Sequence, residues 1–234
     1  MNKKLLTAHC IIKNEENVIY YSIMSIIDHV DYIFIFDTGS QDKTISIVEK
    51  LVKRYPEKII FEKKGVSDKN RHTQLRQEMI DRTETEWFMI IDGDEVWTKR
   101  GVDEVIEKIN TDTDTQCFIA PFYLCVGDIF HHSWRGLFTI RGKKIHATAR
   151  IFRNQAGIHW SGEYGRDVIV EKNGAIIAEN TKTEFLKNRF WHLTHLKRSN
   201  ITSDYSSGGY RSGKEVPTYF IIGKKILESA PEVF

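Results

Sequence analysis

The sequence is poor in cysteine. Cys10, Cys117 and Cys125 are odd in number, widely spaced and without a C-x-x-C pair. That excludes a disulfide scaffold, argues against zinc held through sulfur, and points to reduced thiols in a cytosolic protein. Long apolar runs are also missing: no window approaches the roughly 20 residues that span a bilayer. The start, "MNKKLLTAHCIIKNEE", is basic, but its apolar run is short and soon meets charge, so it predicts a first strand and not a signal peptide. Charge of one sign is lacking too. Lys plus Arg number 34 against 32 Asp plus Glu, a formal +2, which argues against a global nucleic-acid or acidic-surface binder and makes any electrostatic function local. No Pro/Gly/Ser-rich linker, internal repeat or low-complexity tract divides the chain. What the sequence does have is apolar content, 41% of 234 residues, enough for one domain with a substantial core.

The first hundred residues alternate two periods. "LLTAHCII", "YIFIFD", "KIIFE" and "WFMIID" read as strands. Between them, Ile19, Ile23, Ile26, Ile27 and Val30 repeat at helical spacing, as do Ile45, Val48, Leu51 and Val52 after a turn that Ser40 or Asp42 can cap; "NRHTQLRQEMIDR" is a third helix. This order predicts an α/β fold with a mostly parallel sheet flanked by helices, and such sheets place ligands beyond the carboxyl ends of their strands. After residue 100 the texture changes. A helix over "GVDEVIEKI" is followed by strand-like runs at "CFIAPFYL", "ATARIFR", "DVIVE", "AIIAE" and "RFWHLTHL", with helix again only at "PTYFIIGKKILES". The expectation is a single domain over 1–234, with residues 1–100 forming one functional half and 101–234 a β-rich second half ending in a helix. A longer natural protein stays open.

Asp37 ends the second strand and "IIDGDE" ends the fourth, so two acidic clusters fall at one edge of the sheet. An Asp-Gly-Asp turn alone is more often a turn or a cap than chemistry. Its repetition at one edge changes that weighting. Side-by-side carboxylates repel unless a cation joins them, and hard cations take oxygen ligands.

In "CIIKNEENVIYYSIMSII", "IFIFDTGSQDKTISIVEKL" and the Arg of "QLRQEMI" sixteen residues before "DGDE", the chain resembles glycosyltransferase family 2, nucleotide-sugar-dependent enzymes of GT-A fold. The resemblance covers about the first hundred residues. It implies a Rossmann-type GT-A sheet, with residues 1–100 binding the nucleotide sugar and 101–234 the acceptor. It implies that Asp37 and Glu15 meet the nucleoside, that Arg76 approaches the base or diphosphate, and that Asp92 and Asp94, around Gly93, form an Asp-x-Asp motif. There a divalent Mn or Mg bridges the phosphates of a UDP- or GDP-linked sugar, and inversion is the usual outcome. The plain alternatives are that Asp37 caps a turn and Arg76 is a solvated helix residue. Gly93 is expected to let backbone and substrate approach closely.

The resemblance also nominates a late histidine for the metal, His192 or His195, with His195 slightly preferred because "THLKRS" begins a polar segment; a core His192 and a surface His195 is the bland reading. A general base is needed to take the acceptor proton. The family's aromatic-x-Gly-x-apolar-His-Glu pattern is departed from in "WSGEYGRD", where Gly165 and Arg166 replace His and Glu, so Asp167 is nominated with Glu163 in reserve. From His131 to Arg153 there is no acid, but Arg135, Arg141, Lys143, Lys144, Arg150 and Arg153 are present, a positive wall for a diphosphate or anionic acceptor, or simply a solvated hairpin. Trp134 and Trp160 are candidate acceptor platforms with Arg135, though core packing explains either. "YSSGGYRSG" reads as a lid or a connector. Glycan, lipid-linked and protein acceptors stay open, as does peripheral contact with the inner membrane face. The rival readings are a nucleotidyltransferase, disfavoured by the absence of glycine in "IIKNEENV", and a non-catalytic nucleotide- or sugar-binding module.

Overall fold

The computed structural model describes residues 5–200, except 113 and 181, together with the pair Lys224–Lys225. The chain runs β1 (Leu6–Ile12), α1 (Ile19–Met24), β2 (Tyr32–Asp37), α2 (Thr44–Arg54), β3 (Ile59–Lys63), α3 (Lys69–Asp81), β4 (Trp87–Ile90), β5 (Glu95–Val96) and α4 (Lys99–Thr111). It continues through β6 (Cys117–Leu124), β7 (His131–His132), β8 (Phe138–Ile140), β9 (Lys143–Ile145), β10 (Ala147–Arg153), β11 (His159–Ser161) and β12 (Val168–Val170). A 3-10 turn at Ile177–Glu179 precedes β13 (Thr183–Phe185), β14 (Phe190–His192) and β15 (Lys224–Lys225).

One nine-stranded sheet dominates, in the order β3-β2-β1-β4-β10-β6-β14-β5 with β13 also on β6. The first four strands are parallel, as the alternating pattern predicts. β10 then joins β4 antiparallel and carries the sheet into the second half. Because β10 hydrogen-bonds directly to β4, the two halves share one sheet. The core between sheet and helices is built from the apolar positions of the strands and of α1, α2 and α4, with Leu6, Ile12, Ile19, Ile23, Trp87, Met89 and Trp97 at most 1% exposed.

Three local expectations change. The helix expected through Val30 stops at Met24 although Ile26, Ile27 and Val30 remain buried. Ser25 Oγ donates to the Ser22 carbonyl at 2.7 Å and accepts the Trp97 N–H at 3.1 Å, and the backbone tightens to Ile26 N–H on Ile23 C=O. "AIIAE" forms no strand but a 3-10 turn, with the Ile177 carbonyl taken by the Thr183 hydroxyl at 2.7 Å. The C-terminal helix and the candidate lid at 205–213 lie outside the described residues, except that Lys224–Lys225 is a strand paired with β7.

Candidate functional site

A cleft of about 710 Å³ opens where the four parallel strands end. Ile12 ends β1 and Lys13 and Glu15 follow it, Thr38 follows β2, Val66 to Lys69 lead into α3, and Asp92, Gly93 and Asp94 follow β4. Sheet topology alone thus collects residues from four distant stretches.

The loops after β1 and β2 are stitched together. Asn14, in a left-handed conformation at φ 56°, accepts the Gln41 N–H at 2.8 Å on its side-chain oxygen, while its own N–H donates to Ser40 Oγ at 2.9 Å. Asp37 is buried, and its Oδ1 accepts from Gly39 and Ser40 N–H at 2.9 and 3.0 Å. Its Oδ2 is buried without a hydrogen-bond partner, so the turn does not use all of this carboxylate.

The acidic cluster after β4 is met by two arginines. Arg150 contacts Asp92 at 2.7 Å and also Glu95. Arg198 contacts Glu15 at 2.9 Å and also Asp94, and all three side chains are 3% exposed. Burial would raise the Asp92 carboxyl, but Arg150, Arg76 and His192 outweigh it and hold the group well below the usual carboxylate range. Burial pushes Glu95 well up, with Arg150 offsetting only part of it. Burial pulls both guanidiniums down, yet the acids around them hold them above the ordinary arginine value. The strand therefore ends in like charges that guanidiniums compensate in the protein itself, without requiring a metal ion for that purpose.

Each arginine is placed by a feature that spacing does not reveal. The β10–β6 register shifts between Ala149 and Ile151, and the extra residue at this bulge is Arg150. Arg198 is held by its backbone, whose carbonyl accepts the Asn17 N–H at 3.0 Å. Neither was singled out from the sequence beyond a general basic character, and Glu95 was not singled out either.

The β14–β5 register sets His192 opposite Glu95, and the Leu193 N–H donates to the Asp94 carbonyl at 2.8 Å. One ligand atom each from Asp92, Asp94 and His192 therefore lies within 4.8 Å of the others. Burial lowers the His192 imidazole, which favours the neutral form that binds metals, and its Nδ1 is buried without a hydrogen-bond partner. Two carboxylates and a neutral imidazole are a donor set that suits a divalent cation. His192 belongs to this group and His195 does not, because β14 ends at His192 and the chain turns. Burial lowers His195 to about 4.

Arg76 does not line the main cleft. Its Nη1 donates to Asp167 Oδ2 at 2.7 Å, and its guanidinium lies over the Trp160 ring at 4.6 Å. Asp167 Oδ1 accepts the Gly165 N–H at 3.1 Å. Arg76, Arg150, Trp160 and Asp167 together line a second cavity of about 330 Å³. Glu163 is exposed, and Trp134 and Arg135 line neither space. Gly93 has a different reason from the one expected: a Cβ there would stand 2.8 Å from Glu15 Cγ and 3.2 Å from Ile12 Cγ2, so the close neighbour is the protein's own glutamate.

A family model described as "Glycosyl transferase family 2" matches residues 8–174. No curated protein sequence matches the chain. Among solved structures, TarS of S. aureus aligns at TM-score 0.56 and 13% identity over 85% of this chain and 37% of that one. A shorter TarS chain in complex with UDP aligns at 0.52 and 13%, over 80% and 60%. A glucosyl-3-phosphoglycerate synthase of Mycobacterium tuberculosis, in complex with Mn2+, UDP-Glc and phosphoglyceric acid, aligns at 0.45 and 14%, over 64% and 57%. The chain thus spans 37 to 60% of the length of these structures. The TarS likeness shows a shared fold. With the family match covering well over half its residues, the chain belongs to glycosyl transferase family 2.

Proposed function

We propose that this chain is a metal-dependent transferase moving a sugar from a UDP- or GDP-linked donor to an acceptor hydroxyl, with inversion at the anomeric carbon. The observation that carries this reading is the Asp92–Asp94–His192 group on the wall of the strand-end cleft. In the proposal those three residues hold a Mn or Mg ion, which supplies positive charge to the departing nucleoside diphosphate.

The chain's own residues do the rest. Asp37 offers its unused Oδ2 to an N–H or hydroxyl of the nucleoside. Arg198 lines the cleft on the phosphate side, where charge-assisted hydrogen bonds to anionic oxygens are strong, and Arg150 holds Asp92 from the second cavity. Asp167 serves as general base from the second cavity. Arg76 and the Gly165 N–H each occupy one of its oxygens and fix its orientation, leaving lone pairs for an acceptor hydroxyl. Attack from that side displaces the nucleoside diphosphate and inverts the carbon. The exposed Glu163 has no comparable support.

The test is release of UDP or GDP from a panel of nucleotide sugars, with Mn2+ and with chelator, for the parent and an Asp92→Asn/Asp94→Asn double variant. Metal-dependent release that falls at least ~100-fold in the double variant is expected. Equal turnover by the variant refutes the metal reading. Thermal stabilisation by Mn2+ and nucleotide with no release from any donor assigns the cleft to a non-catalytic binding module.

A further inference from the structure

Four large apolar side chains stand exposed within nine residues: Phe130, Trp134, Leu137 and Phe138 are 52, 46, 45 and 54% exposed. Elsewhere among the described residues only Tyr20 and Val66 stand out in this way. A clustered apolar surface of this kind marks an interaction site more often than a scattered one. The same stretch carries the chain's least compensated positive charge, since no acidic residue occurs from 129 to 162. Arg150 and Arg153 in it are paired, with Asp92 and Glu86. Arg135, Arg141, Lys143 and Lys144 are exposed and differ. Arg135 lies over the Trp134 ring at 4.8 Å, Lys143 over Phe185 at 4.3 Å, and Arg141 donates to the Thr183 carbonyl; among the described residues none of the four is paired with a carboxylate.

Exposed aromatic and aliphatic side chains beside these cations, on the β8–β9 hairpin, which pairs outside the main sheet, and on the segment leading into it, match the chemistry of a bilayer interface. Apolar groups enter the acyl boundary there while lysine and arginine meet anionic headgroups. A soluble polyanion would engage the cations and rings but would leave Leu137 exposed to water. We propose that residues 130–144 dock this protein on the surface of an anionic lipid bilayer. The hairpin's Thr139, Ile140 and Arg141 also line the second cavity with Asp167. Docking therefore sets that cavity at headgroup level. This inference does not depend on the transferase reading, because it concerns adsorption alone.

The test uses the full chain and sedimentation with vesicles of phosphatidylcholine, with and without phosphatidylglycerol. Binding only to the anionic vesicles, weakened at about 0.5 M salt, is expected. Lys143→Gln/Lys144→Gln should bind about 30-fold more weakly, roughly fivefold per charge. Trp134→Ser/Phe138→Ser should also lose most binding. Trp134→Phe should bind but lose part of the tryptophan quenching by brominated lipid. All these side chains are exposed, so melting temperatures should stay within ~2 °C of the parent. Failure to bind anionic vesicles, equal binding by the double variants, or capture of inorganic polyphosphate without vesicle binding overturns the proposal; the last outcome assigns the surface to a soluble polyanion.

Discussion

Replacing Arg198 with methionine keeps much of the side-chain volume and removes the charge that compensates Glu15 and Asp94. All three side chains are 3% exposed, so solvent cannot take over that role. Removing one partner of a buried ion pair typically costs about 3–5 kcal/mol, because the remaining charge stays buried. In a domain of this size 1 kcal/mol shifts the melting temperature by about 2–4 °C, so calorimetry should show a fall of about 6–20 °C. If Asp94 also belongs to a cation site, Mn2+ should recover a large part of that loss. A ligand at 100 times its Kd stabilises by about 2.7 kcal/mol, and the variant should gain more than the parent because no guanidinium competes for Asp94. A loss below about 1 kcal/mol refutes the claim that Arg198 neutralises the cluster. An equal Mn2+ shift in both proteins refutes the claim that guanidinium and cation share Asp94.

Asp37→Asn should leave stability within about 1 kcal/mol, because the Oδ1 bonds to Gly39 and Ser40 can persist, while lowering nucleotide affinity about 10-fold or more by calorimetric titration. Gly93→Ala should cost about 1–3 kcal/mol in urea unfolding by driving Glu15 and Ile12 aside. The pH dependence centres on His9. Its Nε2 lies 2.7 Å from the Thr83 hydroxyl, whose proton goes to the Met79 carbonyl, so the imidazole is a neutral Nε2–H donor. Burial lowers its pKa from 6.5 to about 3. Between those values the unfolded chain binds the proton and the folded one does not, so stability should fall with falling pH by up to about 1.4 kcal/mol per unit. A His9→Gln variant should flatten that part of the profile in urea titrations.

The parallel half was legible because its apolar residues keep strict periods: β2 covers "YIFIFD" and α3 lies within a residue of the expected helix. Where side chains compete with the backbone, the periods misled; Ser25 ends α1 early while the buried pattern continues. At the site, Asp37, Asp92 and Asp94 were legible as strand-end acids. Which of His192 and His195 joins Asp92 and Asp94 in space was not, because that depends on the pairing of β14 with β5, about a hundred residues apart. Arg198 was hidden for the same reason, and Arg150 was visible only as one of six basic residues from His131 to Arg153. A register shift aims Arg150 and an inter-loop backbone hydrogen bond holds Arg198, and neither leaves a local sequence signature.

The ion pair between Arg198 and Asp94 closes a loop of 104 residues. During synthesis the acidic wall is therefore complete long before its neutralising cation leaves the ribosome. Until residue 198 emerges, Glu15 and Asp94 lack this guanidinium, so charge compensation at the wall is among the last steps open to the folding chain.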